Sequence, residues 1–136
     1  DCIAGYSVFN DGSIRNYQRK TTQWTIGKNF DQTGAFGPWL VTPDELPVGC
    51  HGLNIQSRLN GQVMQHAKTD QLIFSIPILI HYISSFCTLE PGDVIVTGTP
   101  GGVGFKRVPP VFMKSGDVVE IKGSSLGVLK NIIVSE

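Results

Sequence analysis

The sequence has few charged residues and no run of a single sign. Asp, Glu, Lys and Arg make up 16% of the 136 residues, and 11 acidic side chains balance 11 Lys and Arg. Because nucleic acids are bound through basic surfaces, this balance argues against a nucleic-acid partner. Long apolar runs are missing as well. The longest, residues 72–83, is interrupted by Pro77 and His81 and is too short to cross a bilayer, so we expect no membrane insertion.

Several catalytic and metal-binding motifs are also missing. The three cysteines form no Cys-x-x-Cys pair, which argues against a disulfide framework and against a structural zinc site. We expect them to be small, partly buried side chains in a reducing compartment, and we expect a cytoplasmic location. The three histidines lack ligand spacing, and no Gly-x-Ser-x-Gly elbow is present, so serine-hydrolase chemistry is disfavoured.

What the sequence does contain is glycine and short apolar segments. Its 40% of hydrophobic residues suffice for a core, its 16 glycines favour tight turns, and its length predicts a single domain over residues 1–136. The spacing of apolar residues predicts strands near residues 3–9, 39–41, 94–97, 118–121 and 127–134. The fold class we expect is α+β, mostly β.

Two elements have specific signals. Residues 53–59 alternate in polarity and are followed by Asn60-Gly61, which suits a type I′ turn into residues 62–65. Ser75 is a good N-cap, and the apolar spacing that follows predicts one main helix over about residues 75–86, packed on a sheet.

Candidate functional residues follow the predicted strands. Asp11 comes after the first strand with Arg15 nearby, which could pair with an anion, although an Asp in Asn-Asp-Gly is commonly a turn residue. Lys28 is either a solvated cation or, if enclosed, a stabiliser of an enolate. The glycine-rich loop at residues 98–104 lets a ligand approach the backbone, and the Thr99 hydroxyl suits a carboxylate or enolate oxygen; a plain structural turn is the alternative.

Taken in order, short motifs along nearly the whole chain resemble the fumarylacetoacetate hydrolase family, particularly members acting on 2-oxo acids and acylpyruvates. These motifs are Gly5-Tyr6, Asn10-Asp11-x-Ser13-x-Arg15-x-x-Gln18, Gly27-Lys28-x-Phe30-Asp31, Gly37-Pro38-Trp39, Asn60-Gly61, Leu89-Glu90-Pro91-Gly92-Asp93 and Thr97-Gly98-Thr99-Pro100-x-Gly102. The resemblance implies a mixed sheet rolled into a barrel-like core, and commonly a homodimer.

The resemblance also implies site residues. It makes Asp11 a ligand of Mg²⁺, Mn²⁺ or Ca²⁺, Lys28 the catalytic lysine beside the metal, and Arg15, Gln18 and Thr99 substrate-binding residues. The family's Glu-x-Glu ligand pair is not found before Asp11. The sequence is therefore interpreted as the C-terminal part of a longer catalytic domain, with the remaining carboxylate ligands lying outside it and no activity expected from this part alone.

Three functions remain open at this point. The leading hypothesis is a metal-dependent hydrolase or lyase that cleaves a C–C bond in a small, anionic 2,4-dioxo or 2-oxo acid. The second keeps the same metal-stabilised enolate but performs isomerisation, hydration or decarboxylation. The third is a non-catalytic domain that binds small acids.

Overall fold

A computed structural model describes residues 2–135 as two antiparallel sheets joined by loops and short helices. Strands carry most of the regular structure, which confirms the α+β, mostly β class. The strands are β1 (Tyr6–Asn10), β2 (Ala35–Val41), β3 (Asn54–Leu59), β4 (Gln62–Lys68), β5 (Val118–Gly123) and β6 (Gly127–Ile132), and the α-helices are α1 (Arg15–Gln18) and α2 (Ile76–Ser84). Single 3₁₀ turns lie at Trp24–Lys28, Pro43–Glu45, Val48–Cys50, Thr69–Gln71 and Gly104–Lys106.

The strand pairing differs from the predicted mixed, barrel-like sheet. β1 pairs with β2, and the second sheet has the order β4-β3-β5-β6. Every pair in the described residues is antiparallel, and β4 and β6 form the edges of the larger sheet. A closed barrel would leave no such edges. The barrel is therefore not confirmed, and within residues 2–135 the prediction of a mixed sheet is wrong.

The predicted hairpin is confirmed, and its turn has the expected backbone. β3 and β4 pair from Asn54 opposite Lys68 to Leu59 opposite Gln62, with a bulge that shifts the register between Ser57 and Arg58. The two turn residues both have positive φ, 50° at Asn60 and 81° at Gly61, as a type I′ turn requires. The second strand extends to Lys68, three residues beyond the predicted end.

The main helix forms where the sequence places it but does not pack as predicted. Ser75 is the N-cap and Pro77 lies in the first turn, where a missing backbone N–H is tolerated. None of the residues of α2 is buried, and within the described part of the chain Ile76 is the helical residue that packs against the core. The predicted stripe of Ile76, Leu79, Ile80 and Ile83 is half-buried, but no strand of the described residues lies in close contact with α2, so the expectation that it packs on a sheet is not confirmed.

A small apolar core holds the two sheets together. Its buried members are Val8, Val41, Leu46, Cys50, Leu53, Leu126 and Leu129. β1 and β2 pack across β5 and β6, so the core lies between the sheets. This arrangement fixes the end of β1, where Asp11 follows, relative to the larger sheet.

The predicted strand at residues 94–97 is wrong. The segment has no assigned strand, and Val94 and Val96 are 55% and 47% exposed. Its composition is that of a buried strand, but a strand forms only beside a partner with free backbone groups. No strand of residues 2–135 runs beside it, so composition alone misled the prediction.

Candidate active site

Asp11 and Lys28 form an ion pair across the first loop. Asp11 follows β1 at a turn in which the Gly12 N–H donates to the Asn10 carbonyl at 2.8 Å. Lys28 ends the 3₁₀ turn Trp24–Lys28, and its Nζ donates to Asp11 Oδ2. The two side chains are 35% and 30% exposed, so both remain reachable by a small solute. The structure thus brings together the predicted metal ligand and the predicted catalytic lysine.

The described residues do not complete a divalent-cation site. Among residues 2–135, no group of three His, Cys, Asp or Glu side chains is close enough to hold a metal ion. Asp11 supplies one carboxylate, and the Lys28 ammonium already bonds one of its oxygens. Mg²⁺ and Ca²⁺ take six or more oxygen ligands. The described residues supply one carboxylate ligand, Asp11, so the other ligands of such an ion would have to come from elsewhere.

Arg15 and Gln18 lie on α1, beside the same loop. Arg15 Nη1 donates to Gln18 Oε1 at 2.5 Å, and Gln18 is buried. α1 sits directly against Gly27: a Cβ there would lie 2.5 Å from the Cβ of Gln18. The Ile14 N–H also donates to the Gly27 carbonyl at 2.9 Å. A glycine is therefore needed for α1 to lie this close to the residue before Lys28.

Thr99 is held by a hydrogen-bond relay from the hairpin. Gln65 Nε2 donates to Thr99 Oγ1 at 2.9 Å and to the Pro100 carbonyl at 2.7 Å. The buried Ser57 hydroxyl donates to Gln65 Oε1 at 2.9 Å, which fixes the orientation of the amide. Sequence reasoning missed Gln65 and Ser57, because a regular two-residue hairpin would place Ser57 opposite Met64, and it is the bulge next to Ser57 that brings it opposite Gln65.

The glycine-rich loop is fastened to β4 as well. Arg107 Nε donates to the Gly102 carbonyl at 3.1 Å, and its Nη2 donates to the Met64 carbonyl. At Gly102 φ is 101°, and a Cβ would lie 2.5 Å from the Met64 carbonyl oxygen. Glycine is therefore required at Gly102 both by its φ and by the close approach of β4.

Phe105 connects the two halves of the site. Its ring follows the glycine-rich loop, and Arg15 of α1 lies over it with Cζ 5.5 Å from the ring centroid. The five predicted site residues all border one broad, open space, a cleft of about 1430 Å³: Asp11, Arg15, Gln18, Lys28 and Thr99. Many other residues border it as well, core side chains such as Val8 included. The cleft can accept a small anion between fixed cationic and hydroxyl groups. No sequence signal marks Phe105, since an aromatic residue after a glycine-rich loop has no distinguishing spacing.

The cysteines take no part in this arrangement as nucleophiles. Cys50 is buried in the core, and burial raises the pKa of its thiol, so it stays protonated and unreactive. Cys2 and Cys87 are exposed, which corrects the expectation that all three are partly buried. All three are free thiols, as the lack of a pairing pattern predicted.

Comparison with known proteins identifies the family. The family model described as "Fumarylacetoacetate (FAA) hydrolase C-terminal" matches residues 1–134. The chain belongs to the fumarylacetoacetate hydrolase family. This confirms the resemblance found in the motifs. Members of the family generally use a divalent metal ion, which agrees with an oxygen donor such as Asp11 in the cleft.

Similar proteins extend beyond this chain in length. The bovine mitochondrial oxaloacetate tautomerase FAHD2A is 47% identical over 134 residues, which cover 97% of this chain and 42% of that protein. A fumarylacetoacetate hydrolase from Exiguobacterium antarcticum has a TM-score of 0.92 at 34% identity, covering 98% of this chain and 47% of its own. A 5-carboxymethyl-2-hydroxymuconate delta-isomerase from Mycobacterium smegmatis has a TM-score of 0.85 at 39% identity, covering 98% and 49%. The chain therefore spans about half the length of these relatives or less.

No helix in residues 2–135 has the length and apolar character needed to cross a bilayer.

Proposed function

We propose that this chain forms part of the active site of an enzyme that interconverts keto and enol forms of a small 2-oxo acid, as a tautomerase or isomerase. The observation that carries the proposal is the single cleft lined by Asp11, Lys28, Arg15, Gln18 and Thr99. Relatives named as an oxaloacetate tautomerase and a hydroxymuconate isomerase support this chemistry over the C–C hydrolysis that the sequence led us to favour.

The hydrogen bonds assign a direction to the Thr99 hydroxyl. Its oxygen accepts the proton of Gln65 Nε2, so its own proton is free to point into the cleft. A hydroxyl fixed in this way donates to a substrate oxygen as negative charge develops there. Thr99 is thus proposed to stabilise the enolate oxygen, with Gln65 as the residue that positions it.

The cations are proposed to bind and polarise the acid. The Lys28 ammonium is held in place by Asp11 and faces the same cleft, so it stabilises negative charge at the 2-oxo end. The Arg15 guanidinium, oriented by Gln18, suits the carboxylate of the substrate. Asp11 is proposed to donate one ligand to a divalent ion, Mg²⁺, Mn²⁺ or Ca²⁺. When bound, such an ion polarises the 2-oxo group as a Lewis acid.

A second candidate function is hydrolysis of a C–C bond in an acylpyruvate or a related dioxo acid. The match to a hydrolase family model favours it, and cleavage leaves the same enolate that the tautomerase forms. The deciding group is the one that activates water. No residue of this chain is assigned that role.

Partner and compartment remain predictions. We propose a homodimer, as the resemblance implies. The cytoplasmic location also stays a prediction, and the mitochondrial relatives make that organelle the alternative to test by fractionation.

The test is turnover by the protein at its natural length. Enol and keto oxaloacetate are distinguished by ultraviolet absorbance, and acylpyruvate cleavage by loss of the diketone band, each with Mg²⁺ and with EDTA. We expect tautomerisation that EDTA suppresses. Cleavage without tautomerisation would establish the second candidate, and activity unchanged by EDTA would eliminate both metal-enolate mechanisms. Binding of the acids without either reaction would indicate a non-catalytic domain.

A further inference from the structure

Three cations converge on one aromatic ring at the cleft. Arg15 Cζ lies 5.5 Å from the centroid of Phe105, Arg19 Cζ lies 4.9 Å from it, and Lys106 Nζ lies 5.8 Å from it. All four side chains line the cleft that contains the candidate active site. Arg15 and Arg19 are four positions apart, so they project from the same side of α1 and its C-cap.

These cations lack an anionic partner in the described part of the chain. The ion pairs among residues 2–135 join Lys28 to Asp11 and Lys130 to Glu120. Phe105 attracts the cations through the negative face of its ring, but it does not neutralise them. Like charges held around one ring repel each other, and an anion bound between them removes that repulsion.

Arg15 differs from the other two because one of its donors is already used. It bonds Gln18 and belongs to the site proposed for the 2-oxo end of the substrate. The side chains of Arg19 and Lys106 make no hydrogen bond to any residue from 2 to 135, so their donors are free. A guanidinium and an ammonium with free donors on one cleft wall suit a carboxylate.

We propose that Arg19 and Lys106 form a second anion subsite, which binds the distal carboxylate of a dicarboxylic 2-oxo acid. Phe105 forms its apolar wall, between the two cations and the chain of the substrate. The proposal rests on the proposed function, because it assumes that the 2-oxo end lies at Lys28 and Thr99. It makes Arg19 and Lys106 the residues that select dicarboxylates over monocarboxylates.

The test compares a dicarboxylate with its mono-ester. Oxaloacetate and its 4-methyl ester are assayed with the protein at its natural length and with Arg19→Gln and Lys106→Gln. Losing one charge-assisted hydrogen bond changes binding by roughly tenfold. We expect each variant to lower the ratio of kcat/KM for oxaloacetate to kcat/KM for the ester by about tenfold.

The matched control is Lys20→Gln. This substitution removes one positive charge next to Arg19 in the sequence. The Lys20 side chain, however, lies over Tyr17, with its Nζ 3.8 Å from the ring centroid, and it does not line the cleft. This variant should leave the ratio unchanged. Equal effects of Arg19→Gln or Lys106→Gln on both substrates, or an effect as large from Lys20→Gln, would overturn the subsite.

A binding measurement separates this proposal from the proposed function. Malonate and its mono-methyl ester are titrated by calorimetry into the same proteins, with no turnover needed. A preference for malonate that Arg19→Gln and Lys106→Gln abolish supports the subsite even if no tautomerase activity is found. Turnover of oxaloacetate with no change in either preference refutes the subsite and leaves the function standing.

Discussion

Gln65 shows how a residue outside the predicted site can control a residue inside it. Its amide oxygen accepts a hydrogen bond from the Ser57 hydroxyl, and its amide nitrogen donates one to the Thr99 hydroxyl. Each donor in this relay therefore points towards Thr99 and the cleft, and this direction is the polarity of the relay. Reversing that polarity would turn the Thr99 proton away from a bound ligand. The relay therefore makes the hydroxyl of Thr99 a donor.

Replacing Gln65 with Leu should lower kcat by about tenfold to a hundredfold, because a displaced catalytic group costs on this order. Gln65→Glu keeps the size of the side chain but accepts the Thr99 proton, so it should lose activity comparably. Steady-state kinetics on the protein at its natural length, with a thermal melt of each variant, checks this. Gln62→Leu, an exposed position on the same strand, is the control. Full activity of Gln65→Glu would contradict the assigned polarity.

Asp11 carries the metal hypothesis, and its substitution tests it. In the protein at its natural length, Asp11→Asn should weaken Mg²⁺ binding on the order of tenfold or more, since it removes an anionic oxygen ligand. The side chain is partly exposed, so the fold should persist. Calorimetric titration with Mg²⁺ measures the affinity, and circular dichroism monitors folding. Unchanged affinity in a folded variant would remove Asp11 from the ligand set.

At the residue scale, the sequence predicted the candidate site residues but missed the residues that hold them in place. Asp11, Arg15, Gln18, Lys28 and Thr99 stand in motifs with fixed spacing, and the structure places them along one cleft. Gln65 and Phe105 act through contacts between segments that are distant in sequence. Such contacts leave no local pattern, and only the folded chain shows them.

At the scale of elements, the β3–β4 turn is tied to the start of β5 through two polar side chains. Asn60 Nδ2 donates to Asp117 Oδ1 at 2.8 Å, and the Lys114 N–H donates to Asp117 Oδ2 at 2.8 Å. The Asn60 side chain, first, and the Lys114 backbone N–H lower the pKa of the Asp117 carboxyl. The side chain that joins the turn to the strand is thus favoured in its charged carboxylate form.

This linkage gives the chain a predictable response to acid. Because the folded pKa of Asp117 lies below its unfolded value, its contribution to stability is complete above the unfolded pKa and is lost as pH falls through the folded pKa. Asp117→Asn should therefore flatten the fall in urea midpoint over that acidic range. Asn60→Gly keeps a residue suited to positive φ but removes the side-chain amide that donates to Asp117. It should also flatten the fall in urea midpoint. An unaltered slope in both variants would refute the linkage.

The elements differ in how far they could be predicted. The hairpin and α2 have strong local signals, an Asn-Gly turn and an N-cap followed by helical spacing, and both formed. Residues 94–97 have only composition, and composition does not supply a neighbouring strand. The predicted packing of α2 on a sheet was not confirmed for the same reason. An apolar stripe indicates which face of a helix can be buried, but it does not indicate which element covers that face.

On the scale of the whole molecule, stability depends on a small core between two sheets. Val8 of β1 is 3% exposed, and its Cγ1 packs closely against Gly123 of β5, where a Cβ would lie only 2.8 Å from it. The glycine lets the two sheets approach. Val8 is therefore a direct link between β1, which leads to Asp11, and the larger sheet.

Val8→Ala should lower the free energy of unfolding by about 2 kcal/mol, from lost burial and a residual cavity. Val128→Ala is the matched control, because Val128 is 44% exposed and the same atoms are removed. Its effect should be under about 0.5 kcal/mol. Urea denaturation followed by circular dichroism measures both. Equal losses in the two variants would show that the core between the sheets does not determine stability.

The oligomeric state is tested at this scale too. Light scattering coupled to size exclusion should give twice the mass of the chain for the protein at its natural length, as a homodimer requires. A monomeric mass at micromolar concentration would refute the prediction. The sequence suggested a dimer only through family resemblance, since a balanced net charge permits association without specifying its geometry.

A loop with glycines at positions 98, 101, 102 and 104 would ordinarily be read as a hinge. Here Gln65 bonds the loop near one end, and Arg107 bonds both Gly102 and the neighbouring strand β4. The loop is therefore held in one conformation and does not act as a hinge. Its backbone should keep the same conformation whether or not a ligand is present. Adaptation to substrates of different length is then left to side chains beside the loop, such as Arg15 and Arg19 on α1 and its C-cap.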